Sequence, residues 1–200
     1  MRLPFTSFER ELLTEMNVAP AQLHPNSWAF IKAFGILFSY FGCYPPVDFF
    51  LHFFEAKSPG KNLWVSFSGI AGRIILFLYQ HSYKGFRGKF FRVCSSQADP
   101  TSLDGFPLYW VKEPKLKKAK TLDELNSVDR EICQVLAGLG VVFNTAELIK
   151  HEYDPATLTK HIGMGVIPSL LTSILCLCLC RFLCIFYKLF SHCFDGMLDP

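Results

Sequence analysis

The sequence predicts an α+β fold: a mainly helical, compact domain with a small antiparallel sheet, followed by a separate hydrophobic C-terminal helix. Three observations support this prediction. Half of the 200 residues are hydrophobic and 21 are Phe, enough for one sizeable core. Apolar residues recur at helical spacing on both sides of a middle stretch with strand-like alternation. The last 40 residues change to a mostly apolar composition.

Three helices are predicted in the N-terminal part of the chain. The first begins after Thr6, because Thr6 and Glu9 form a capping-box pattern ahead of an apolar run. The second covers about residues 26–40 and ends at Phe41-Gly42. The third covers about residues 46–55, since a proline suits the first helical turn. Its phenylalanines occupy more than half of its circumference, which predicts deep burial.

Short strands are predicted after Ser58-Pro59-Gly60, where the helical pattern breaks. Residues 63–68 alternate large apolar with polar side chains, and residues 90–94 and 106–111 are rich in aromatic and β-branched residues. Pro107 lies near the start of the last strand, where a missing backbone N–H is tolerated. These strands form the small sheet.

Helices return after the lysine-rich stretch at residues 113–120. Thr121 and Glu124 form a second capping-box pattern, and apolar residues recur at helical spacing over residues 127–139. This segment is predicted to be the fourth helix.

Two further short helices complete the predicted domain. Asn144 or Thr145 caps the first, which runs through Lys150, and Asp154-Pro155 begins the second. We predict that this domain covers residues 1–161 and that residues 162–200 form a separate tail.

The tail contains a candidate transmembrane helix at about residues 167–190. About 20 apolar residues suffice to cross a bilayer, and the cost of Arg181, about 2.5 to 3.5 kcal/mol, is offset by its Leu, Ile and Phe neighbours. T-rich codons specify the same residue types, so translation of a retained intron over residues 165–194 is an alternative origin. Secretion is not expected, because no signal-peptide run precedes Glu9. The expected location is a membrane if the tail is translated, and otherwise the nucleus or cytoplasm.

Charge is unevenly distributed along the chain. Residues 56–120 hold twelve basic and three acidic groups, whereas residues 1–55 and 121–154 are both acidic. The basic middle either binds phosphate or pairs with the acidic segment that follows it. The aromatic rings interleaved with these cations either stack on bases or fill the core, in which case the cations only solvate a loop and a strand edge. The candidate nucleic-acid-binding residues are Lys84, Arg87, Lys89, Arg92, Lys115, Lys117 and Lys118.

No catalytic, metal or cofactor site is predicted, and no small-molecule substrate is implied. The cysteines and histidines do not form the two paired ligand groups of a structural zinc site. The glycines lack Walker spacing, and no nucleophile elbow is present in the sequence. The protein is therefore expected not to be an enzyme.

Other conspicuous residues are assigned structural roles. His24 precedes a proline and is expected to cap or pack beside a helix start. Asp48 and Glu55 are expected to share a solvated face of the third helix. The cysteines outside the tail are expected to be reduced, mostly buried thiols: Cys43, Cys94 and Cys133.

A series of short motifs follows in order along the first 161 residues. They lie at residues 3–5, 18–20, 23–28, 52–54, 64–68, 90–93, 106–110, 129–133 and 141–143. Together they resemble the gypsy-type transposon domain of plant proteins, over about residues 3–161. The resemblance implies a mobile-element origin and supplies no catalytic residues, and no transposase acidic triad accompanies it.

The predicted function is that of a transposable-element-derived plant protein, a non-catalytic interaction module. It is expected to contact nucleic acid or a protein partner through the basic segment at residues 57–120. The alternative is a single-span membrane protein in which residues 167–190 anchor a cytosolic N-terminal domain.

Overall fold

The computed structural model describes residues 4–42, 44–58, 64–77, 105–138, 140–152 and 154–163. In chain order the elements are α1 (Ser7–Met16), α2 (Pro25–Tyr40), α3 (Val47–Phe53), β1 (Phe54–Lys57), β2 (Ser66–Gly69), α4 (Ser127–Gly138), α5 (Thr145–Lys150) and α6 (Pro155–Gly163). The prediction of helices with a small antiparallel sheet is confirmed for these residues. The predicted hydrophobic C-terminal helix lies outside the described residues.

The predicted capping box at the start of α1 is present. The Thr6 hydroxyl accepts from the backbone N–H of Glu9 at 3.2 Å, and the Thr6 N–H donates to the Glu9 carboxylate at 2.7 Å. Asn17, at a φ of 48°, ends the helix in the left-handed conformation. The helix buries one apolar face, which consists of Phe8, Leu12, Leu13 and Met16.

Phe34 of α2 lies at the centre of an aromatic core. It has no exposed surface, and its ring centroid lies within 6.3 Å of six other rings: Phe8, Phe38, Phe49, Phe50, Phe53 and Phe54. Aromatic pairs at such separations contribute about 0.5–1.5 kcal/mol beyond the burial of their area. The deep burial predicted for the phenylalanines of the third helix is confirmed.

The third helix ends earlier than predicted, because residues 54–57 form β1 and do not continue α3. The Phe54 ring stacks on Phe50 at 4.6 Å, and the Phe54 backbone pairs with Gly69. A run of phenylalanines suits a buried helix and a buried strand equally, so the partner strand decides between them.

The expectation that two carboxylates share a face of the third helix is wrong for the same reason. Glu55 is a strand residue, and its carboxylate lies 2.9 Å from the Lys57 ammonium. Asp48 remains in the first turn of α3, exposed to solvent. The two residues belong to different elements.

The sheet is tied to the connection between α1 and α2. The strand predicted at residues 63–68 is found at β2, and Val65 just before it forms a parallel bridge with Leu23. The Val65 N–H donates to the Gln22 carbonyl at 3.0 Å, and the His24 N–H donates to the Val65 carbonyl at 2.8 Å.

The strand predicted at residues 106–111 is wrong, since this segment has irregular backbone. Phe106 is buried, with its ring 5.5 Å from Phe5, but the three residues Leu108, Tyr109 and Trp110 are all exposed. These residues therefore lack the alternation of buried and exposed side chains that is typical of a strand. The backbone of Val111 bonds to the side chain of Gln22 and not to a neighbouring strand. The strand predicted at residues 90–94 lies outside the described residues.

The helices predicted after residue 120 are confirmed as α4, α5 and α6. The Thr121 N–H donates to the Glu124 carboxylate at 2.7 Å, ahead of α4. The Asn144 side chain caps α5 by accepting from two backbone N–H groups, and an ion pair of 2.7 Å between Lys32 and Glu152 connects α2 to the end of α5. The domain boundary at residue 161 stays a prediction, because α6 ends the described residues.

Candidate nucleic-acid interface

Residues 111–120, here called the lysine segment, are docked on the helices. The Lys115 N–H donates to the carbonyl of Met16 at the end of α1, at 2.8 Å. The Lys120 N–H donates to the carbonyl of Leu51 in α3, at 3.0 Å. The stretch that the sequence predicts as a linker therefore has a fixed course across two helices.

Gln22 fixes the beginning of the lysine segment. Its side-chain N–H donates to the Val111 carbonyl at 2.8 Å, and its side-chain oxygen accepts from the Val111 N–H at 3.0 Å. Gln22 has no exposed surface, and its own carbonyl bonds to Val65. One buried residue thus connects the sheet to the lysine segment.

Arg73 fixes the other end of the lysine segment. Its guanidinium Nη1 donates to the Lys120 carbonyl at 2.8 Å and to the His52 carbonyl at 3.4 Å. The same Lys120 carbonyl lies 3.0 Å from Nδ1 of His52, and Nδ1 carries the proton there because a carbonyl only accepts. Arg73 therefore stabilises the fold through these hydrogen bonds, although it is one of the twelve basic residues of the stretch 56–120.

The surroundings of His52 in the fold lower its pKa. The side chain is nearly fully buried, and this burial lowers its pKa. The hydrogen bond to the Lys120 carbonyl raises the pKa, and the charge of Arg73 lowers it, with burial the largest effect. Neutral imidazole is the form that the folded protein favours.

Two lysines of the segment pair with carboxylates. Lys117, a predicted contact residue, lies 3.6 Å from the Glu15 carboxylate. Lys120 lies 3.7 Å from Asp48 and 3.9 Å from Glu124. Such partly exposed pairs contribute about 0–1 kcal/mol, so a phosphate competes with them readily. The acidic segment that follows the basic middle, the partner expected from the sequence, supplies only Glu124, whereas Glu15 and Asp48 come from the helices before it.

The other three lysines of the segment, Lys112, Lys115 and Lys118, are exposed to solvent. Within the described residues, no carboxylate lies within 4.0 Å of their ammonium groups. Glu113 is the one acidic residue of the segment. Against the described residues, the lysine segment consequently presents three positive charges without carboxylate partners on a fixed backbone.

Two exposed aromatic residues, here called the aromatic pair, precede the lysine segment. Tyr109 is 85% exposed and Trp110 is 44% exposed. The Trp110 ring packs at an interplanar angle of 88° against Trp64, with 5.7 Å between centroids, and Trp64 lies 5.7 Å from the His24 ring. Large rings beside exposed lysines suit the bases and phosphates of a nucleic acid.

The sequence does not predict that both rings of the aromatic pair are exposed. In a strand over residues 106–111 side chains alternate between two faces, so one of the two neighbouring rings would be buried. The signal in the sequence is the position of the pair between Pro107 and Pro114, directly ahead of five lysines. Prolines at both ends disfavour a central strand.

The remaining predicted contacts, Lys84, Arg87, Lys89 and Arg92, lie outside the described residues. Of the seven candidates, the structure places Lys115, Lys117 and Lys118 together in the lysine segment. The rings interleaved with the first four cations also lie outside the described residues. Their roles stay predictions.

The structural role predicted for His24 is confirmed. It is the N-cap of α2, and its Nδ1 accepts from the Asn26 N–H at 3.2 Å. Burial lowers the pKa of His24. A protonated ring loses this acceptor, so the cap requires the neutral form.

Cys133 of α4 is a free and buried thiol, as predicted. Burial, together with the neighbouring charge of Asp129, raises its pKa to about 12. The thiolate is the reactive form, so the folded protein makes this cysteine inert. Cys43 and Cys94 lie outside the described residues. Elsewhere in the described part of the chain, no three His, Cys, Asp or Glu residues are placed to hold a metal ion.

The candidate transmembrane segment at residues 167–190 lies outside the described residues. Among the helices that are described, none combines the length and the apolar character that a bilayer crossing requires.

A helical domain with a two-stranded sheet and a docked basic segment is the class that these observations define. The model of a family described as "Putative gypsy type transposon" matches residues 1–58. Comparison with curated proteins and with solved structures gave no match. The resemblance is confirmed over residues 1–58, and its extension to residue 161 stays a prediction.

The family match includes three of the residues that hold the lysine segment, whereas Arg73 lies beyond it. Met16, Gln22 and Leu51 all lie within the matched residues 1–58, whereas the lysine segment lies beyond them. The matched part therefore acts as the platform on which the basic segment is mounted.

Proposed function

We propose that the protein is a transposon-derived, non-catalytic interaction module that binds nucleic acid through its basic middle, residues 57–120. The lysine segment carries this proposal. Three exposed lysines without carboxylate partners in the described residues follow a backbone that is bonded to two helices. The family match to residues 1–58 supports the transposon origin.

The spacing of the exposed lysines suits a nucleic-acid backbone. Lys112 and Lys118 are six residues apart in sequence, which limits their Cα separation to about 20 Å in extended chain. Phosphates of one strand recur at about 3.4 Å along the axis of B-form DNA, so a segment of up to this length reaches more than one of them. Several phosphates can therefore contact the segment at once.

Binding of this kind depends strongly on salt. Each neutralised phosphate contributes about −0.9 for a duplex, or about −0.7 for a single strand, to the slope of log affinity against log salt concentration. Three lysines predict a slope of about −2 to −3. Further cations in residues 78–104 make the slope steeper.

A salt titration of the full chain tests the proposal. The probe is a fluorescein-labelled 20-nucleotide strand, and binding is followed by fluorescence anisotropy from about 25 to 200 mM salt. The proposal expects tight binding at low salt that weakens as the salt concentration rises. Absence of binding at 25 mM salt contradicts it.

The sequence-predicted cations are tested by reversing Lys84, Arg87, Lys89 and Arg92 to Glu in one variant. If this variant binds more weakly than the parent chain and its circular dichroism spectrum is unchanged, the result supports contact between these residues and phosphate. If the variant binds as tightly as the parent chain, these four residues are not part of the interface. The lysine segment must then account for binding alone.

Membrane attachment is the alternative proposal, supported by the apolar sequence of residues 167–190. Carbonate extraction of membranes from cells that express the full chain discriminates between the two. Retention in the pellet supports an integral span, and release into the soluble fraction contradicts it.

A further inference from the structure

We infer that the aromatic pair is a stacking platform that makes the interface prefer unpaired, single-stranded nucleic acid over duplex. This inference rests on the proposed function and adds the class of ligand. It follows from the exposure of the two rings, from the way they are held, and from the lysines beside them.

Exposure is the first observation. Tyr109 has 85% of its surface in solvent, the largest exposed fraction among the large apolar side chains that the structure describes as exposed. It contributes almost nothing to the core, although an aromatic side chain usually buries most of its area. A ring face in solvent is available to stack on a base.

Preorganisation is the second observation. Trp110 packs against Trp64, which in turn packs against His24, the N-cap of α2. The next residue, Val111, is bonded to the buried amide of Gln22 at both its N–H and its carbonyl. The Trp110 ring is therefore held in place while it remains exposed, and the backbone that carries Tyr109 is fixed two residues away, so less conformational entropy is lost when a base stacks there.

The neighbouring charge identifies the ligand. The exposed lysines Lys112, Lys115 and Lys118 follow the rings within nine residues of Tyr109, and Glu113 is the one acid among them. An apolar protein surface gains nothing from these cations, whereas a polynucleotide presents phosphates to the lysines and bases to the rings.

The strandedness follows from geometry. In a duplex the base faces are stacked on one another, so the rings cannot stack on them, although the phosphates and the base edges in the grooves remain accessible. In a single strand both base faces and phosphates are accessible, and stacking of one base contributes about 1–3 kcal/mol, or about 5- to 150-fold in affinity. The rings therefore favour a single strand over a duplex, whereas the lysines bind the phosphates of both.

The test compares a 20-nucleotide oligo(dT) with a 20-base-pair duplex, each titrated with the full chain by fluorescence anisotropy at about 50 mM salt. Tyr109→Ala removes the most exposed ring, and Tyr109→Phe is the matched control that keeps the ring and removes the hydroxyl. Because the side chain is 85% exposed, neither variant disturbs the core. We expect Tyr109→Ala to bind oligo(dT) at least fivefold more weakly, with duplex affinity changed less than twofold, and Tyr109→Phe to bind as the parent does.

The possible outcomes separate this inference from the proposed function. If the parent chain binds neither probe, the proposed function fails and the stacking inference fails with it. If the parent binds both probes and Tyr109→Ala binds oligo(dT) as tightly as Tyr109→Phe does, phosphate binding stands and the stacking platform is overturned. Equal weakening of both probes by Tyr109→Ala also overturns it, because a ring that acts on duplex does not select unpaired bases.

Discussion

The side chain of Gln22 pairs with the backbone of Val111 through two hydrogen bonds, of 2.8 and 3.0 Å, across 89 positions of sequence. This arrangement replaces the ladder that a neighbouring strand supplies in a sheet. It places the exposed aromatic pair on one side of Val111 and the lysine segment on the other. The buried amide of Gln22 therefore fixes the point at which the two parts of the proposed interface meet.

Replacing Gln22 by Ala is expected to destabilise the protein and to loosen the lysine segment. The change leaves the N–H and carbonyl of Val111 without their partners, which costs about 1–3 kcal/mol in the free energy of unfolding. Urea denaturation measures the loss, and hydrogen exchange of the Val111 amide should accelerate. Gln134→Ala, at an exposed position of α4, is the control and should change stability by less than about 0.5 kcal/mol. Equal effects of the two variants contradict the role of Gln22.

Replacing Phe34 by Ala is expected to cost about 3–5 kcal/mol in the free energy of unfolding. The ring is fully buried among six others, so its removal leaves a cavity in the centre of the core. Phe77→Ala is the matched control, since Phe77 is 57% exposed. Chemical denaturation should show a much smaller change for the control. A loss below about 1 kcal/mol for Phe34→Ala contradicts the described core.

Acid is expected to destabilise the protein through His24 and His52. Burial lowers the pKa of both below the ordinary value of 6.5, so the unfolded chain binds these protons more readily than the folded one. Their contribution to stability is complete above 6.5 and is lost as the pH falls from 6.5 toward the folded pKa values. Urea denaturation between about pH 7.5 and 5.5 measures this loss.

The variant His52→Asn isolates one of these two groups. Its side-chain N–H replaces Nδ1–H as the donor to the Lys120 carbonyl, and it does not titrate. Stability should therefore fall less between pH 7.5 and 5.5 than in the parent protein. An equally steep fall contradicts the contribution of His52.

The Cys133 thiol is expected to resist alkylation in the folded protein. Its pKa of about 12 leaves almost no thiolate at pH 8, and the side chain is 2% exposed. Iodoacetamide labelling followed by peptide mass spectrometry should leave Cys133 unmodified, and labelling in denaturant should modify it fully. Rapid labelling of the native protein contradicts its burial.

Local signals predicted the helices well. The capping boxes at Thr6 and Thr121 and the cap at Asn144 each involve residues two or three positions apart, so the sequence shows them directly. The end of α3 was not predictable in this way. Its phenylalanines fit a helix or a buried strand, and the pairing of Phe54 with Gly69 decides the matter.

Distant contacts limited the prediction of the site. The sequence identifies the lysines, but the fold decides that Lys117 lies beside Glu15 and that Arg73 binds the Lys120 carbonyl. The course of the backbone just after Tyr109 is also fixed by Gln22, which lies 89 positions before Val111. The sequence gives the number of charged and aromatic residues. Which of these side chains are exposed to solvent depends on contacts between distant parts of the folded chain.

The most direct test of the central claim reverses two exposed lysines at the proposed interface and two elsewhere. Lys115→Glu with Lys118→Glu removes positive charge from the lysine segment, and Lys150→Glu with Lys160→Glu makes the same change in net charge on α5 and α6. Affinity for the 20-nucleotide strand is measured by anisotropy at about 50 mM salt.

We expect the first variant to bind at least tenfold more weakly, with a salt slope smaller in magnitude by about 1 to 2, and the second to bind within threefold of the parent. Equal losses in the two variants, or unchanged binding by the first, would contradict a nucleic-acid interface at the lysine segment.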